Sequence, residues 1–175
     1  MKKSKLYSLL FGFIFTCVLV FLDQWSKQLA YVRLAGGRDF VIIPGALELH
    51  YLENTGAAFS LLENKMIVFY ILTPLLCALM VFLYARLPMD KKFTSLRWVL
   101  IFLTAGAIGN FIDRIQYQYV IDFIYVSLIH FPVFNVADIY VTCSVAVLFI
   151  LILFVYSEEE LSVIMEHLKF WKRNS

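Results

Sequence analysis

The sequence predicts an all-α polytopic membrane protein with four transmembrane helices, both termini cytoplasmic, and a small β-like element in the first outer loop. Three observations carry that expectation. The 175 residues are 62% hydrophobic and only 16% charged, a balance that argues against a water-soluble domain. Four apolar stretches are long enough to cross the hydrocarbon, which takes about 20 mostly apolar residues in helix because each backbone polar group must find its partner within the segment. Lysine and arginine, finally, are placed unevenly along the chain.

The expected helices cover residues 7–30, 66–87, 96–112 and 136–156 of one membrane-embedded domain spanning 1–175. With four spans both ends share one side, and the basic residues of the short connections decide which. Lys2, Lys3, Lys5, Arg86, Lys91, Lys92, Arg97, Lys169, Lys172 and Arg173 fall on the side of the termini, which reads as cytoplasmic. Loops 32–65 and 113–135 then face outward. The Lys-Lys-Ser-Lys start followed by an apolar run has the shape of a cleaved signal peptide, but no small-residue cleavage site follows and Asp23-Gln-Trp-Ser-Lys27 does, so an uncleaved signal anchor is expected.

Within the first outer loop, Pro44-Gly45 supplies a turn, and the alternation from Ala46 to Glu53 suits a half-buried strand at the membrane surface. Pro74 in the second helix reads as a packing kink, since neighbours in a bundle can satisfy the freed carbonyl. In the third helix, Ala105 and Gly109 form a small-xxx-small pair that permits close helix approach. The tail from Ser157, with Glu158, Glu159 and Glu160 before Leu161, Ile164, Met165 and Leu168, is mildly amphipathic and either extends helix four or lies on the membrane surface. Cys17, Cys77 and Cys143 sit inside hydrophobic spans and read as small apolar packing groups, with no disulfide framework. The net charge of +2 is accounted for by topology and gives nucleic-acid binding no support.

Charges near the bilayer are informative because each costs about 2.5–3.5 kcal/mol at a helix centre. Asp23 and Lys27, four residues apart, share one helix face; a structural ion pair and a functional role both fit. Asn54-Thr-Gly56 precedes helix two, where Asn54 suits either an ordinary turn or a hydrogen bond to an extended substrate backbone, with Gly56 allowing close approach. Asn110 lies one turn from Asp113 and Arg114, a group able to orient a loop. Arg114 could also meet a lipid head group or a substrate carbonyl.

Two further acids reach the same outer interface: Asp122, within Val120-Ile-Asp-Phe-Ile124, and Asp138, within Phe134-Asn-Val-Ala-Asp138. Carboxylates that share a site cannot readily both ionise, so one keeps a proton and acts as acid while the other acts as base on a water. The helix dipole favours the charged form of Asp138, and apolar neighbours favour the protonated form of Asp122. The plainer alternative has Asp138 capping helix four and Asp122 pairing with Arg114. His50 and His130 show no metal-ligand spacing, and no metal or cofactor is expected. Two rival classes are a small transporter with these acids along its pathway, and a metal-dependent membrane transferase.

Taken together, Asp23-Gln-Trp-Ser-Lys27, Asn54-Thr-Gly-Ala-Ala-Phe59, Gly109-Asn110-Phe-Ile-Asp113-Arg114, Val120-Ile-Asp122-Phe123 and Phe134-Asn135-Val-Ala137-Asp138 resemble the ordered motifs of bacterial lipoprotein signal peptidases, or signal peptidase II. That resemblance implies Asp122 and Asp138 as the catalytic dyad and Asn54, Gly56, Asn110, Arg114, Asn135 and Ala137 as substrate-contacting or site-shaping positions. It implies Asp23, Lys27 and Asp113 as structural support. The implied reaction removes the signal peptide of a diacylglyceryl-modified prolipoprotein on the amino side of the lipidated cysteine. Its implied partners are those signal peptides and membrane lipids, and its implied setting is the bacterial cytoplasmic (inner) membrane, with the site at the outer face of a monomer.

Overall fold

In the computed structural model, residues 2–37, 39–56 and 66–168 are described. The chain runs α1 (Lys2–Leu34), β1 (Phe40–Ile43), β2 (Leu47–Asn54), α2 (Met66–Arg86), α3 (Thr94–Tyr117), β3 (Val120–Tyr125), α4 (Val136–Ile150) and α5 (Glu158–Leu168). Four of its helical segments, Ser4–Leu34, Met66–Arg86, Lys91–Tyr117 and Val136–Val155, are long and apolar enough to span a membrane. Their polarity is arranged for lipid rather than water. Phe13, Ile71 and Phe154 are exposed, whereas Asp23, Lys27, Asp113, Arg114, Asp122 and Asn135 are buried. A bundle in hydrocarbon gains nothing by hiding apolar side chains, so it hides the charged ones and pairs them.

Close helix approach centres on α3. A Cβ on Gly106 would stand 2.6 Å from the Ala137 carbonyl oxygen and 2.7 Å from Val141 Cγ2, and one on Gly109 would collide with Asp23 Oδ2. Ala105, completely buried, lines the same side. The glycine pair therefore lets α3 meet α4 and α1 at once. Pro74 is carried inside α2.

The predicted strand in the first outer loop is part of a larger element. β1, β2 and β3 form an antiparallel sheet in that order. The β1–β2 turn is closed by Ala46 N–H donating to Ile43 O at 3.0 Å, with Gly45 at φ 69° following Pro44, as a type II turn requires. β2 pairs with β3 through Asn54↔Val120, Leu52↔Asp122 and Leu49↔Ile124, with a bulge between Leu49 and Leu52.

Helix boundaries differ from the sequence expectation, α1 running from Lys2 to Leu34 and α3 from Thr94 to Tyr117. Helix three continues past residue 112 to Tyr117, so Asp113 and Arg114 lie on the helix, and left-handed Gln118 (φ 66°) ends it by donating to Arg114 O. The chain then turns straight into β3, whose buried Ile121 and Phe123 pack with Ala30 and Leu34 of α1. Strand β3 escaped the alternation test because both of its faces are covered, which produces an apolar run instead of a period of two.

At the other end of the bundle, α4 passes through a π-helical turn at Leu151–Val155, and the chain turns extended at Tyr156. Ser157 and Glu160 then form a reciprocal capping box that starts α5 as a separate helix. Leu161, Val163 and Ile164 pack on Phe93, Val99, Leu151 and Tyr156, and Arg86 Nε donates to His167 O at 2.8 Å. The tail thus folds back against α2 and α3. The cysteines are free thiols.

Gly106→Val should weaken the α3–α4 contact, because the atoms its side chain would meet belong to backbone and a packed neighbour. A loss of about 1–3 kcal/mol, the usual range for overpacking, is expected in the unfolding of the detergent-solubilised protein.

Candidate active site

The site grows from a buried ionic knot. Lys27 of α1 lies 2.9 Å from Asp23 Oδ2, one turn away, and 2.9 Å from Asp113 Oδ2 of α3. All three side chains are withdrawn from solvent. The remaining capacity of each is used. Asp23 Oδ1 accepts from the Ala137 N–H of α4 at 2.8 Å, Asp113 Oδ2 accepts from the Ile121 N–H of β3 at 3.1 Å, and Gln24 Nε2 donates to Asp113 Oδ1 at 2.8 Å. The pairing anticipated between Asp23 and Lys27 is thus one edge of a larger cluster that ties α1, α3, α4 and β3 together.

A third Lys27 contact leads toward the carboxylates. Lys27 Nζ donates to Asn110 Oδ1 at 2.8 Å, which turns the Asn110 amide so that its Nδ2 donates to Asp138 Oδ1 at 2.8 Å. Asn135 sits between the two acids. Its Nδ2 donates to Asp122 Oδ1 at 2.7 Å and to Asn110 Oδ1 at 3.1 Å, while its backbone N–H donates to Asp138 Oδ2 at 3.1 Å. Asp138 N–H returns a bond to Asn135 Oδ1 at 3.0 Å, completing the capping box of α4. On the far side, Asn54 Nδ2 donates to Asp122 Oδ2 at 2.8 Å. One asparagine therefore bridges Asp122 and Asp138, and neighbouring amides hold each acid from a second direction.

Asp138 does cap α4, as the plainer alternative held, but Asp122 does not pair with Arg114. Among the described residues, Arg114 donates to the Gly56 carbonyl at 2.8 Å and the Asn110 carbonyl at 3.3 Å, with its guanidinium 4.1 Å from the Phe69 ring centroid. Its Nε is buried and has no hydrogen-bond partner among the described residues. Tyr70 donates to the Arg114 carbonyl at 2.9 Å. Ala137 is fully buried under Asp23 and Gly109. All of the residues singled out from sequence gather at this end of the bundle; residues 57–59 of the Asn54 motif lie outside the described residues.

Sequence reasoning missed Gln24, Phe69 and Tyr70. Gln24 could have been found beside Asp23, since a buried carboxylate cluster needs extra donors. Phe69 and Tyr70 carry no such signal inside an apolar helix. His50 is bonded to Asp39 at 2.8 Å and His130 to the Tyr125 hydroxyl at 3.3 Å.

Both carboxylates open on a cavity of about 910 Å³ between the sheet, α3 and α4. Asn54, Gly56, Asn110 and Arg114 line its polar end, and Phe131, Pro132, Ile139 and Val141 contribute an apolar wall. Burial pushes the Asp122 carboxyl up to about 7; the Asp138 charge adds to this, and the hydrogen bonds from Asn54 and Asn135 oppose it. A group so placed can hold a proton near neutrality while a neighbouring acid accepts one.

Four membrane-length helices, with two aspartates bridged by one asparagine at one end of them, define the class as a multi-pass membrane protein. Comparison with known proteins agrees. The sequence profile of the peptidase A8 family, described as signal peptidase (SPase) II, matches residues 15–154. The lipoprotein signal peptidase of Enterococcus faecalis is 43% identical over 141 residues, covering 79% of this chain and 84% of its own. That of Streptococcus thermophilus is 39% identical over 144 residues, covering 81% and 89%. A solved structure described as a bacterial membrane enzyme superposes with a TM-score of 0.71 at 30% identity, covering 81% of this chain and 87% of the other. The chain belongs to the signal peptidase II family, the lipoprotein signal peptidases.

Two outcomes are expected. Lys27→Met leaves Asp23 and Asp113 buried without their cation and should cost about 3–5 kcal/mol, read as a lower unfolding midpoint. The second concerns pH. The Asp122 carboxyl, at about 7 when folded against an ordinary 3.8, binds more protons folded than unfolded. Its stabilising contribution is therefore complete below about pH 4 and is lost as pH rises to about 7. Unfolding temperature should decline across that window, and Asp122→Asn should flatten the decline; parallel profiles would contradict the assignment.

Proposed function

We infer that this chain removes signal peptides from prolipoproteins as a peptidase of aspartic type, the activity that membership of the family supports. We propose that this chain cleaves diacylglyceryl-modified prolipoproteins on the amino side of the lipidated cysteine, with Asp122 and Asp138 as the catalytic dyad. The observation that carries the reading is the Asn135 bridge, which sets the two acids in one cavity with a polar end and an apolar wall. A lipidated peptide has the same two-part character.

In the proposed reaction a water enters between the carboxyls. Asp138 takes a proton from that water as its oxygen attacks the scissile carbonyl carbon, and Asp122 gives its own proton to the carbonyl oxygen. The tetrahedral diol then collapses: the C–N bond breaks, Asp138 returns its proton to the leaving amine, and Asp122 recovers one from the diol hydroxyl. Both acids end as they began, which is the economy of a dyad sharing one proton. Asn135, Asn110 and Asn54 hold the oxygens in place, and the Arg114 Nε, without a partner among the described residues, offers a donor for a substrate carbonyl. The Gly56 carbonyl, held by Arg114, lies at the same polar end.

The dyad works without metal or cofactor in this scheme. The chain is proposed to act as one domain and as a monomer in the bacterial cytoplasmic (inner) membrane. Both termini lie in the cytoplasm, and the site is at the outer face, where water and lipid are both within reach. The placement of lysine and arginine supports that orientation.

Incubation of the purified protein with a diacylglyceryl-modified prolipoprotein in EDTA should release the signal peptide, followed by mass spectrometry. Asp122→Asn and Asp138→Asn should each fold and lose at least about a hundredfold in rate, the lower range for removal of a general acid or base. Absence of cleavage by the folded wild-type protein would refute the activity, and near-normal turnover in either variant would remove that residue from the dyad.

A further inference from the structure

The sheet separates two recesses. Asp122 lines the cavity already described, while the next residue of β3, Phe123, lines a second recess of about 680 Å³ on the other side. This alternation is what a strand imposes on successive side chains. The second recess is a groove between the sheet and the last turns of α1, walled by Leu29, Leu34, Phe40, Leu49 and Phe123. Trp25, on the same helix, is exposed at its lower edge.

The groove is lined by two charged residues, Arg33 and Asp39, which form no ion pair with each other. Arg33, two turns beyond Trp25, is exposed at the rim and makes no ion pair or hydrogen bond among the described residues. The groove's carboxylate, Asp39, is engaged by His50 at 2.8 Å. A guanidinium with no partner among the described residues, above an apolar trough where a membrane helix ends, complements a phosphate attached to an acyl chain. Arginine suits that task because its planar fork matches phosphate oxygens.

We propose that this groove is a binding site for a membrane glycerophospholipid, with the phosphate on Arg33 and one acyl chain along Trp25, Leu29 and Phe40. The site is separate from the cavity that holds the two aspartates and backs directly onto the strand carrying one of them. A lipid there covers the exposed apolar surface of Trp25, Leu29 and Phe40.

The test is native mass spectrometry of the delipidated, detergent-solubilised protein, with dimyristoylphosphatidylglycerol compared against dimyristoylglycerol, which has the same chains and no phosphate. The wild-type protein should take up one phospholipid at least about tenfold more tightly than the diacylglycerol, a ratio set by a single charge-assisted contact. Arg33→Gln should bring that ratio close to one. Leu29→Trp, which occupies the trough from an exposed position, should weaken both lipids together. Equal binding of the two lipids by the wild-type protein, an unchanged ratio in Arg33→Gln, or unaltered binding in Leu29→Trp would each overturn the proposal. Arg33 and Leu29 are both exposed, so neither variant threatens the fold.

Discussion

The buried ammonium of Lys27 is the constraint on which the rest of the site depends. Two carboxylates and one ammonium removed from water repay their desolvation only when geometry and further hydrogen bonds satisfy every remaining polar atom. Here that requirement draws in Gln24, the Ala137 N–H and the Ile121 N–H. Satisfying the knot therefore sets where α3, α4 and β3 lie relative to α1. Gly109 belongs to the same constraint, since a side chain there would occupy the place of the Asp23 carboxylate.

From the knot the order passes to the aspartates through amides. An asparagine side chain has a donor end and an acceptor end, so fixing one fixes the other. Lys27 holds the Asn110 acceptor, which aims its donor at Asp138; Asn135 uses both of its ends as well as its backbone N–H to join Asp138 to Asp122. The two acids stand on different elements, a strand and a helix, yet neither can rotate without breaking a bond in this chain of amides. Such a supporting shell is how a site keeps the tolerance that catalysis needs.

Position along the bundle also follows from physical limits. Charges and irregular backbone are tolerated at membrane depth only where protein covers them, and the sheet at one end of the helices offers that cover. It buries Asp122 and raises its carboxyl toward neutrality. The sheet is at the same time thin, so its two faces look into two different recesses.

Much of this was legible in the chain. Length and hydropathy determine the four spans, because a membrane crossing needs a set number of apolar residues, and the ordered motifs mark the family and the residues that gather at one end of the bundle. The separation of Asp23 from Lys27 already puts them on one helix face. Other features depended on contacts distant in sequence. Strand β3 is concealed because burial on both faces erases alternation, and the end of α3 is set by a left-handed residue whose identity, Gln118, gives no warning. The start of α5 was readable in Ser157 and Glu160, yet its return against α2 was not. Above all, whether Asp122 met Arg114 or Asn135 was decided by which partners tertiary packing brought near. A buried carboxylate takes its proton affinity from those partners and from lost water, neither of which is local to the sequence.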